Sequence, residues 1–451
     1  MKLGKALKMG EAKTLEIDDS KEYTIAGVQS YGKGVVNRRN ELGKNLKMKK
    51  YQVIEPDFLM WCKVDTKNGA FGITKKEHKG SLASTNMALA KIDTERFNPQ
   101  FIERLFTFDF FHGYITHLSS GSTNRKYLTP KQLFELVEIP ALSKREQDEF
   151  IGLVDRIESL GITTELTHQL DLVKQLRLAF LREAMQGKLV PQDPNDESAS
   201  VLLEKIKAEK ENLIKEKKIK KQKPLPPITE DKIPFEIPEN WVWCRLGEVT
   251  NDLLGGFAFK SSKYVKESNN QVIRLGNVKN DNLLLTANPA YISDDYASTA
   301  EKAMLLPGDI LVTMTGTRAK RDYLFTLLLN DEHFENLNLY LNQRVGAIRL
   351  NDLLQKEFIT FLLKEPSILE PVFLSSTGAA NQANIGVTAL NNILVPLPTF
   401  SEQQRIVAKL NELMAYCDEF EASIKESQQQ NELLLQQVLR EALEPNNVEQ
   451  V

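Results

Sequence analysis

Two absences limit the classes of protein that this 451-residue sequence can represent: it has few cysteines and no long apolar run. Its three cysteines, Cys62, Cys244 and Cys417, lie far apart, which excludes a disulfide framework and a paired-cysteine zinc site. No stretch approaches the roughly 18 apolar residues that cross a membrane, and the first residues lack the apolar segment of a secretory signal. We therefore expect a cytoplasmic protein with no membrane partner.

Motifs for catalysis are also absent. Neither G-x-x-x-x-G-K-[ST] nor G-x-G-x-x-G occurs, so the sequence holds no ordinary phosphate-binding loop. His112 and His117 fall on different faces of a helix or strand, which excludes a shared metal ion. Asp57 and Asp65 imitate a magnesium-binding carboxylate pair and leave a stand-alone Mg-dependent nuclease as an alternative. We predict no catalytic residue, no metal ligand and no cofactor in this chain.

The formal net charge of −3 hides an uneven distribution along the chain. Residues 1–140 contain 23 Lys and Arg against 16 Asp and Glu, whereas residues 401–451 contain 4 against 10. A basic segment attracts polyanions such as nucleic acid, and scattered surface lysines are the plainer alternative. The length suggests about three units, or two units with connecting elements.

An internal repeat defines how the chain is organised. Short segments recur at an offset of 256 to 258 residues, and a constant offset over so long a stretch excludes chance. The matching pairs are residues 119–122 with 375–378, 136–140 with 394–398, Glu146-Gln147 with Glu402-Gln403, and 181–184 with 439–442, and Lys2-Leu3-Gly4 has an echo in Arg245-Leu246-Gly247. The sequence therefore predicts two copies of one module, each a globular block followed by a long helix.

The helical part of each module has an apolar repeat. In the second copy the apolar residues, Cys417 among them, step by four and three positions, the spacing of a heptad seam. Ser401 is predicted to cap this helix, and Gly161 to kink the first one. We expect the two helices to pair with each other in antiparallel fashion, with attachment to another protein as a further possibility. The residues predicted to pair are Phe150, Val154, Ile157, Leu170 and Val173 in the first copy, and Ile406, Leu410, Leu413, Phe420 and Ile424 in the second.

These patterns predict a mixed α/β fold: two pseudo-symmetric globular domains separated by an antiparallel pair of long coiled-coil helices. We expect strands within residues 51–63 and 304–314, and helices within 101–111 and 352–364. The stretch between the modules carries ten lysines from Lys205 to Lys232 and is predicted to be a solvated helix and linker, with phosphate contact as the alternative. The predicted domains are a first globular domain at 1–140, a first helix at 141–187, a Lys/Pro-rich helical linker at 188–238, a second globular domain at 239–399 and a second helix at 400–445.

Several motifs lie in a fixed order along the repeat: PTFSEQQRIV at 398–407 with a looser copy at 140–151, GKLVPQ at 187–192, IPENW at 237–241, NGAFG at 68–72 and LPGDIL at 306–311. In this order they resemble the specificity subunit of type I restriction–modification systems, over essentially the whole chain. The first block departs most from the family pattern, because its helix start reads Ser143-Lys144-Arg145-Glu146-Gln147 and its lead-in is short.

The resemblance implies a non-catalytic subunit in which each globular block is a target-recognition domain reading one half of a split DNA sequence. It further implies that the helices form a spacer and a docking site for two modification subunits, which restriction subunits join. S-adenosylmethionine, ATP and Mg would then be held by partner subunits. A two-module coiled-coil scaffold that does not bind DNA is the alternative in the class of interaction proteins.

Candidate DNA-reading residues are those of suitable chemistry in predicted loops. Arg suits guanine, Asn and Gln suit adenine, and Lys mostly meets phosphate. The candidates are Tyr31, Lys33, Arg38, Arg39, Lys75, Lys76, Asn124, Arg125 and Lys126 in the first block, and Lys260, Lys263, Arg274, Asn277, Arg318, Lys320, Arg321, Asn381 and Gln382 in the second.

Overall fold

The computed structural model describes residues 1–9, 12–30, 33–63, 70–107, 114–115, 117–118, 120–122, 125–127, 129–378 and 381–443. It divides into two compact units, one made of Met1–His168 with Ile424–Val451 and the other of Gln169–Ser423. Both unit boundaries fall inside long helices, so each helix contributes to both units. The described helices include none long and apolar enough to cross a membrane.

The described residues of the first block form two larger sheets and a two-stranded one, β10-β11. Short strands rich in apolar residues alternate with turns, as expected for sheets with one buried face. A four-stranded sheet has the order β1-β9-β6-β7 and is antiparallel throughout, and a five-stranded sheet has the order β2-β5-β8-β3-β4 with β3 and β8 parallel. The strands are β1 Leu7–Met9, β2 Thr14–Glu16, β3 Glu22–Val28, β4 Val35–Leu42, β5 Lys50–Val53, β6 Phe58–Cys62, β7 Phe71–Ile73, β8 Leu82–Ala83, β9 Met87–Ile92, β10 Ser120–Ser122 and β11 Arg125–Tyr127.

The described residues of the second block form two four-stranded sheets and three two-stranded ones. The sheet β13-β23-β19-β21 is antiparallel, and the sheet β14-β18-β15-β22 contains the parallel pair β15 and β22. The strands are β12 Val242–Arg245, β13 Thr250–Gly255, β14 Tyr264–Val265, β15 Asn270–Ile273, β16 Val278–Lys279, β17 Asn282–Leu283, β18 Tyr291–Ile292, β19 Ile310–Thr313, β20 Thr315–Thr317, β21 Thr326–Leu328, β22 Asn338–Leu341, β23 Val345–Leu350, β24 Gln382–Asn384 and β25 Leu394–Leu397.

The two blocks share a topology. In each antiparallel sheet, the first strand along the chain pairs with the last one. The last strand pairs with a middle strand, and the middle strand pairs with a strand that lies between it and the last in sequence. The start of each block also pairs with its end, through a bridge between Lys2 and Glu138 in the first and through the β12–β25 ladder in the second. The repeat seen in the sequence therefore corresponds to a repeated arrangement of strands.

Eleven helices occur in the described residues. The helical stretch after the first block is broken at Gly161, which has a φ of +66°, a left-handed conformation that suits glycine. The predicted kink is therefore present as a break between two helices. The helices are α1 Pro99–Thr107, α2 Pro130–Leu136, α3 Lys144–Ser159, α4 Ile162–Met185, α5 Ala199–Lys215, α6 Leu246–Val249, α7 Asp294–Ser298, α8 Lys356–Leu362, α9 Pro366–Leu374, α10 Val387–Asn391 and α11 Phe400–Leu443.

The strands expected within 51–63 and 304–314 are present. The first stretch holds two strands, because Asp57 turns the chain with a φ of +65° between β5 and β6. The second stretch holds β19, which begins at Ile310. One local prediction is wrong. Ser401 is not the cap of α11: the Thr399 hydroxyl accepts the Glu402 N–H at 3.2 Å, one position before the helix starts.

The Gln of each repeated Glu-Gln pair holds the helix that follows a block against that block. Gln403 is fully buried, and its side chain accepts the N–H of Gln355 at 3.0 Å and donates to the Pro398 carbonyl at 3.1 Å. Gln147 is fully buried as well and accepts the N–H of Asn98 at 2.8 Å. Asn98 and Gln355 lie just before α1 and α8, so both blocks hold their exit helix through the same contact.

The predicted pairing residues occupy different surroundings. Phe150 and Val154 are buried within the hydrophobic core of the first block, where Phe150 packs edge-on against Phe101 at 5.6 Å. Val173 and Cys417 are buried, whereas Phe420 is 55% exposed. The remaining members divide between buried positions, Ile406 and Leu410, and half-buried ones, Ile157, Leu170, Leu413 and Ile424.

Polar contacts join α4 to α11 beside these residues. Arg177 on α4 donates to Asp418 at 2.7 Å and to Glu421 at 2.9 Å. Nearer the second block, Ala184 and Leu410 belong to one hydrophobic cluster. In the other unit, Asn431 donates to the hydroxyl of Thr163 at 3.4 Å. The surface of α11 that faces α4 therefore includes Glu421, next to the exposed Phe420.

Candidate nucleic-acid interface

The second block gathers sequence-distant candidates on a small β-ladder. Strand β20 pairs with β24, so that Thr317 lies opposite Gln382. Beyond the ladder, Asn381 holds the loop 318–321: its carbonyl accepts the N–H of Arg318 at 2.8 Å, and its side chain accepts the N–H of Ala319 at 3.0 Å. These contacts bring together candidates from two stretches about 60 residues apart in sequence: Arg318, Lys320, Arg321, Asn381 and Gln382.

The two arginines of this loop are occupied by contacts inside the protein. Arg318 donates to the carbonyls of Ser376 at 2.9 Å and Gly378 at 3.3 Å. Arg321 forms two hydrogen bonds to Glu370, at 2.7 and 2.9 Å, and lies 5.0 Å from the ring centre of Phe373. The hydrogen bond from Arg321 lowers the pKa of the Glu370 carboxyl. Both arginines thus fix the loop, while Lys320 projects into solvent.

A cleft of about 450 Å³ lies beside the ladder. One wall is β20, and the other is a 3-10 turn at Leu275–Asn277. Gly316 in β20 leaves no room for a side chain, because an added Cβ would lie 2.8 Å from the Asp322 carbonyl oxygen. Three long polar side chains line this cleft: Lys279, Arg344 and Gln382.

Two of these residues were not among the sequence candidates. Lys279 ends the short strand β16, and Arg344 is exposed at the turn between β22 and β23. A signal for Arg344 did exist, because Asn342-Gln343-Arg344 is a run of base-reading residue types between two apolar strands. Lys279 had no comparable signal, since only the tertiary fold brings it to the cleft.

The other candidates of the second block have separate environments. Asn277 is only 2% exposed and donates to the carbonyls of Leu284 at 2.9 Å and Ala287 at 3.0 Å, so it organises its own loop rather than facing a ligand. Arg274 is half-buried and donates to the Asn288 carbonyl. Lys263 lies 4.6 Å from the ring centre of Tyr296, which also accepts the backbone N–H of Lys260 at 3.1 Å.

In the first block, five candidates lie on or beside the edge strand β4. Asn37 of β4 donates to the Glu77 carbonyl at 3.3 Å, which places the turn at 76–78 against this strand. Arg38 donates to the Val28 carbonyl at 2.7 Å, and Arg39 pairs with Glu41 at 3.3 Å. Lys33 and Lys76 are exposed, and Lys75 pairs with Glu103 at 3.3 Å.

Some predictions fall outside the described residues. Tyr31, Asn124, Asp65 and His112 are among these, while Arg125 and Lys126 lie in β11. Among the residues that the structure describes, no three His, Cys, Asp or Glu side chains gather in a group able to hold a metal ion.

Comparison with known proteins gives this geometry a context. Residues 238–429 match the family described as "Type I restriction modification DNA specificity domain". The chain is 35% identical to the type I restriction enzyme EcoAI specificity subunit of Escherichia coli over 57% of its own length and 42% of that subunit. It is 28% identical to the EcoEI specificity subunit of Escherichia coli, over 72% of this chain and 61% of that one.

A solved structure shows the same fold. It is described as "Structural basis underlying complex assembly and conformational transition of the type I R-M system". The match covers 98% of this chain and 96% of that chain, with a TM-score of 0.59 and 19% identity.

The match to this family therefore spans the second block and the first part of α11. The chain is similar to type I restriction–modification specificity subunits. It spans 42% and 61% of the lengths of the EcoAI and EcoEI subunits.

Proposed function

We propose that this chain is the DNA-reading subunit of a type I restriction–modification complex, with each block reading one half of a bipartite target. One observation carries the proposal: the matched domain gathers Lys279, Lys320, Arg344 and Gln382 around one cleft and loop. Arginine and glutamine make paired hydrogen bonds to base edges, and lysine meets phosphates, so this set supplies both functions of a reader.

The first block fits the same role with a different surface. Its edge strand β4 presents Arg38 and Arg39 beside the turn carrying Lys76. The shared strand order of the two blocks supports a second reader at this position. The proposed domain boundaries remain 1–140 and 239–399, with the helices 141–187 and 400–445 as spacer and the linker at 188–238.

The helices of the proposed spacer pair in antiparallel fashion and dock two modification subunits. The order of contacts supports the antiparallel pairing: Arg177 meets Glu421, while Ala184, further along α4, shares a cluster with the earlier Leu410. Apolar side chains outside that pairing surface support the docking, since exposed apolar stripes mark interaction sites. They are Leu172 and Leu176 on α4, exposed by 47% and 38%, and Tyr416 and Phe420 on α11, exposed by 51% and 55%.

In this proposal the chemistry belongs to partner subunits in the cytoplasm. The modification subunits hold S-adenosylmethionine, and the restriction subunits that join them use ATP and Mg. This chain contributes recognition and assembly.

Binding to duplex DNA tests the reading function. The full chain with its modification subunits is titrated against duplex DNA at several salt concentrations, by fluorescence anisotropy. We expect an affinity that falls steeply with salt, because each neutralised phosphate releases counterions. No salt-dependent binding would favour a scaffold, and Mg-dependent cutting by the chain alone would favour a nuclease.

A double substitution tests the docking surface. We expect Leu172→Glu with Leu176→Glu to reduce co-purification of modification subunits at least tenfold while the thermal unfolding temperature changes little, because both side chains are exposed. The matched control is Lys174→Glu with Gln175→Glu, on the same turn of the helix. Equal co-purification of both variants would contradict docking at this stripe.

A further inference from the structure

A lysine-rich surface outside the recognition cleft has no role in the function described so far. Residues 215–223, here called the lysine segment, contain six lysines and one acidic residue, Glu216. All six lysines are exposed. Within the segment, Lys218 pairs with Glu216 at 2.8 Å. Earlier on α5 the lysines have acidic partners, as in the pair between Lys207 and Glu248 at 3.0 Å.

The lysine segment is anchored to the second block at its first end. Leu203 and Ile206 on α5 are buried in the core of that block. One turn later, Lys210 donates its ammonium to the Gly247 carbonyl and, at 3.3 Å, to the side chain of Gln222. Burial lowers the pKa of Lys210 to about 8. The turn that carries the lysines is therefore held against the block.

The far end of the segment is anchored as well. Arg245, which is 4% exposed, donates to the carbonyls of Pro226 at 2.7 Å and Pro227 at 3.2 Å. The same guanidinium donates to the Asn392 carbonyl at 2.9 Å. The lysine segment is thus a surface fixed to the second block at both ends, with its lysines exposed to solvent.

The length of strand β13 gives the distance between the lysine segment and the cleft. Helix α6, which contains the Gly247 that Lys210 contacts, leads directly into β13 at Thr250. The other end of β13 is Gly255, which pairs with Gly346, two residues from Arg344 of the cleft. The five steps from Thr250 to Gly255, at roughly 3.3 Å each, give a separation of about 17 Å between the two ends of β13. On a duplex, this distance corresponds to about five base pairs at roughly 3.4 Å per pair.

We propose that the lysine segment binds the phosphate backbone of the same duplex that the cleft reads, about five base pairs away. The inference rests on the proposed function and adds a second contact surface to it. Lysine suits this task because its ammonium is a flexible point charge that meets phosphates without reading bases. The segment therefore adds affinity without adding specificity, and its contribution is removed by salt.

The test compares two triple variants of the full chain, each assembled with modification subunits. One replaces Lys217, Lys220 and Lys223 by Gln, and the control replaces the exposed Lys188, Lys205 and Lys302 by Gln. The probes are a duplex that contains the target and a duplex of random sequence. Each phosphate contact contributes about 0.9 to the slope of log affinity against log salt, so the first variant should lower that slope by about 2 to 3 on both probes. The ratio of the two affinities should stay unchanged.

The possible results separate the inference from the proposed function. Failure of the unsubstituted complex to bind either duplex would overturn both. If that complex binds normally and the lysine variant has the same salt slope as the control, the proposed phosphate contact of the lysine segment would be wrong and the proposed function would stand. A variant that keeps its slope but loses modification subunits would show that the segment binds an acidic protein surface instead. Loss of slope in the variant and not in the control would establish the contact.

Discussion

Arginine side chains in the second block fall into two groups that sequence cannot tell apart. Arg318 and Arg321 stand beside Gly316 in a positively charged run, yet hydrogen bonds within the protein hold both of them. Arg344 has no such charged neighbours in sequence but lines the cleft. Chemistry predicted the type of residue needed. It did not predict which arginine lines the cleft, because Glu370 and Ser376, which bind Arg321 and Arg318, come from distant parts of the chain.

Replacing Arg344 tests this distinction. Arg344→Ala should weaken discrimination at one base pair of the second half-site by about 1–3 kcal/mol, because a paired hydrogen bond to a base edge is lost. The measurement is the affinity ratio between the target duplex and duplexes with single base changes. Lys302→Ala, on a turn outside the cleft lining, serves as the control. Discrimination that is unchanged at every base would show that Arg344 does not read DNA.

Lys210 provides a pH-dependent prediction. Burial lowers its pKa from 10.5 to about 8, so between pH 8 and 10.5 the unfolded chain binds more protons at this residue than the folded chain. Its contribution to stability therefore rises with pH through that range. Relative to Lys210→Met, the wild-type chain should gain unfolding free energy between pH 7.5 and 10. Parallel pH profiles of the two thermal unfolding temperatures would contradict the assignment.

At the level of secondary-structure elements, the internal repeat and the apolar period of the helices predicted more of the structure than single residue types did. The apolar period predicted the positions of both long helical stretches. Gly161 predicted the break in the first stretch, because a glycine in the left-handed conformation is a local signal. The apolar period did not distinguish Phe420 from Glu421 at the pairing surface, because neighbouring positions of a heptad differ by less than a third of a helix turn. Nor did it show that Phe150 packs into a globular core, which depends on α1 from elsewhere in the chain.

The buried glutamines make a quantitative prediction about these helices. Gln403→Ala leaves the Gln355 N–H and the Pro398 carbonyl without partners inside the protein, and should lower the free energy of unfolding by about 1–3 kcal/mol. Gln147→Ala should have a similar effect, because its contacts are equivalent. Denaturant titration measures both, with the exposed Gln404→Ala as control. Equal stability of the Gln403 and Gln404 variants would show that the tie is unimportant.

At the level of the whole molecule, two blocks with one strand order imply modular recognition. Exchanging residues 1–140 for those of a relative should change one half of the recognised sequence and leave the other intact, because each block carries its own loops. Methylation sites mapped in a host that carries the exchanged subunit and its partners give the result. A change in both halves, or in neither, would contradict two independent readers.

The hydrophobic cluster of the first block has a consequence for the order in which the chain is completed during synthesis. That cluster packs against Met1 and also against Leu435 of α11, which is translated only after the whole second block. The core strands and α1 can assemble early, since domains fold as they emerge. The surface that receives Leu435 stays uncovered until ribosomes have passed the second block. A polypeptide that ends before Leu435 would therefore expose apolar side chains in the first block, although all residues 1–140 are present. Quality-control proteases would recognise the polypeptide by this exposed surface.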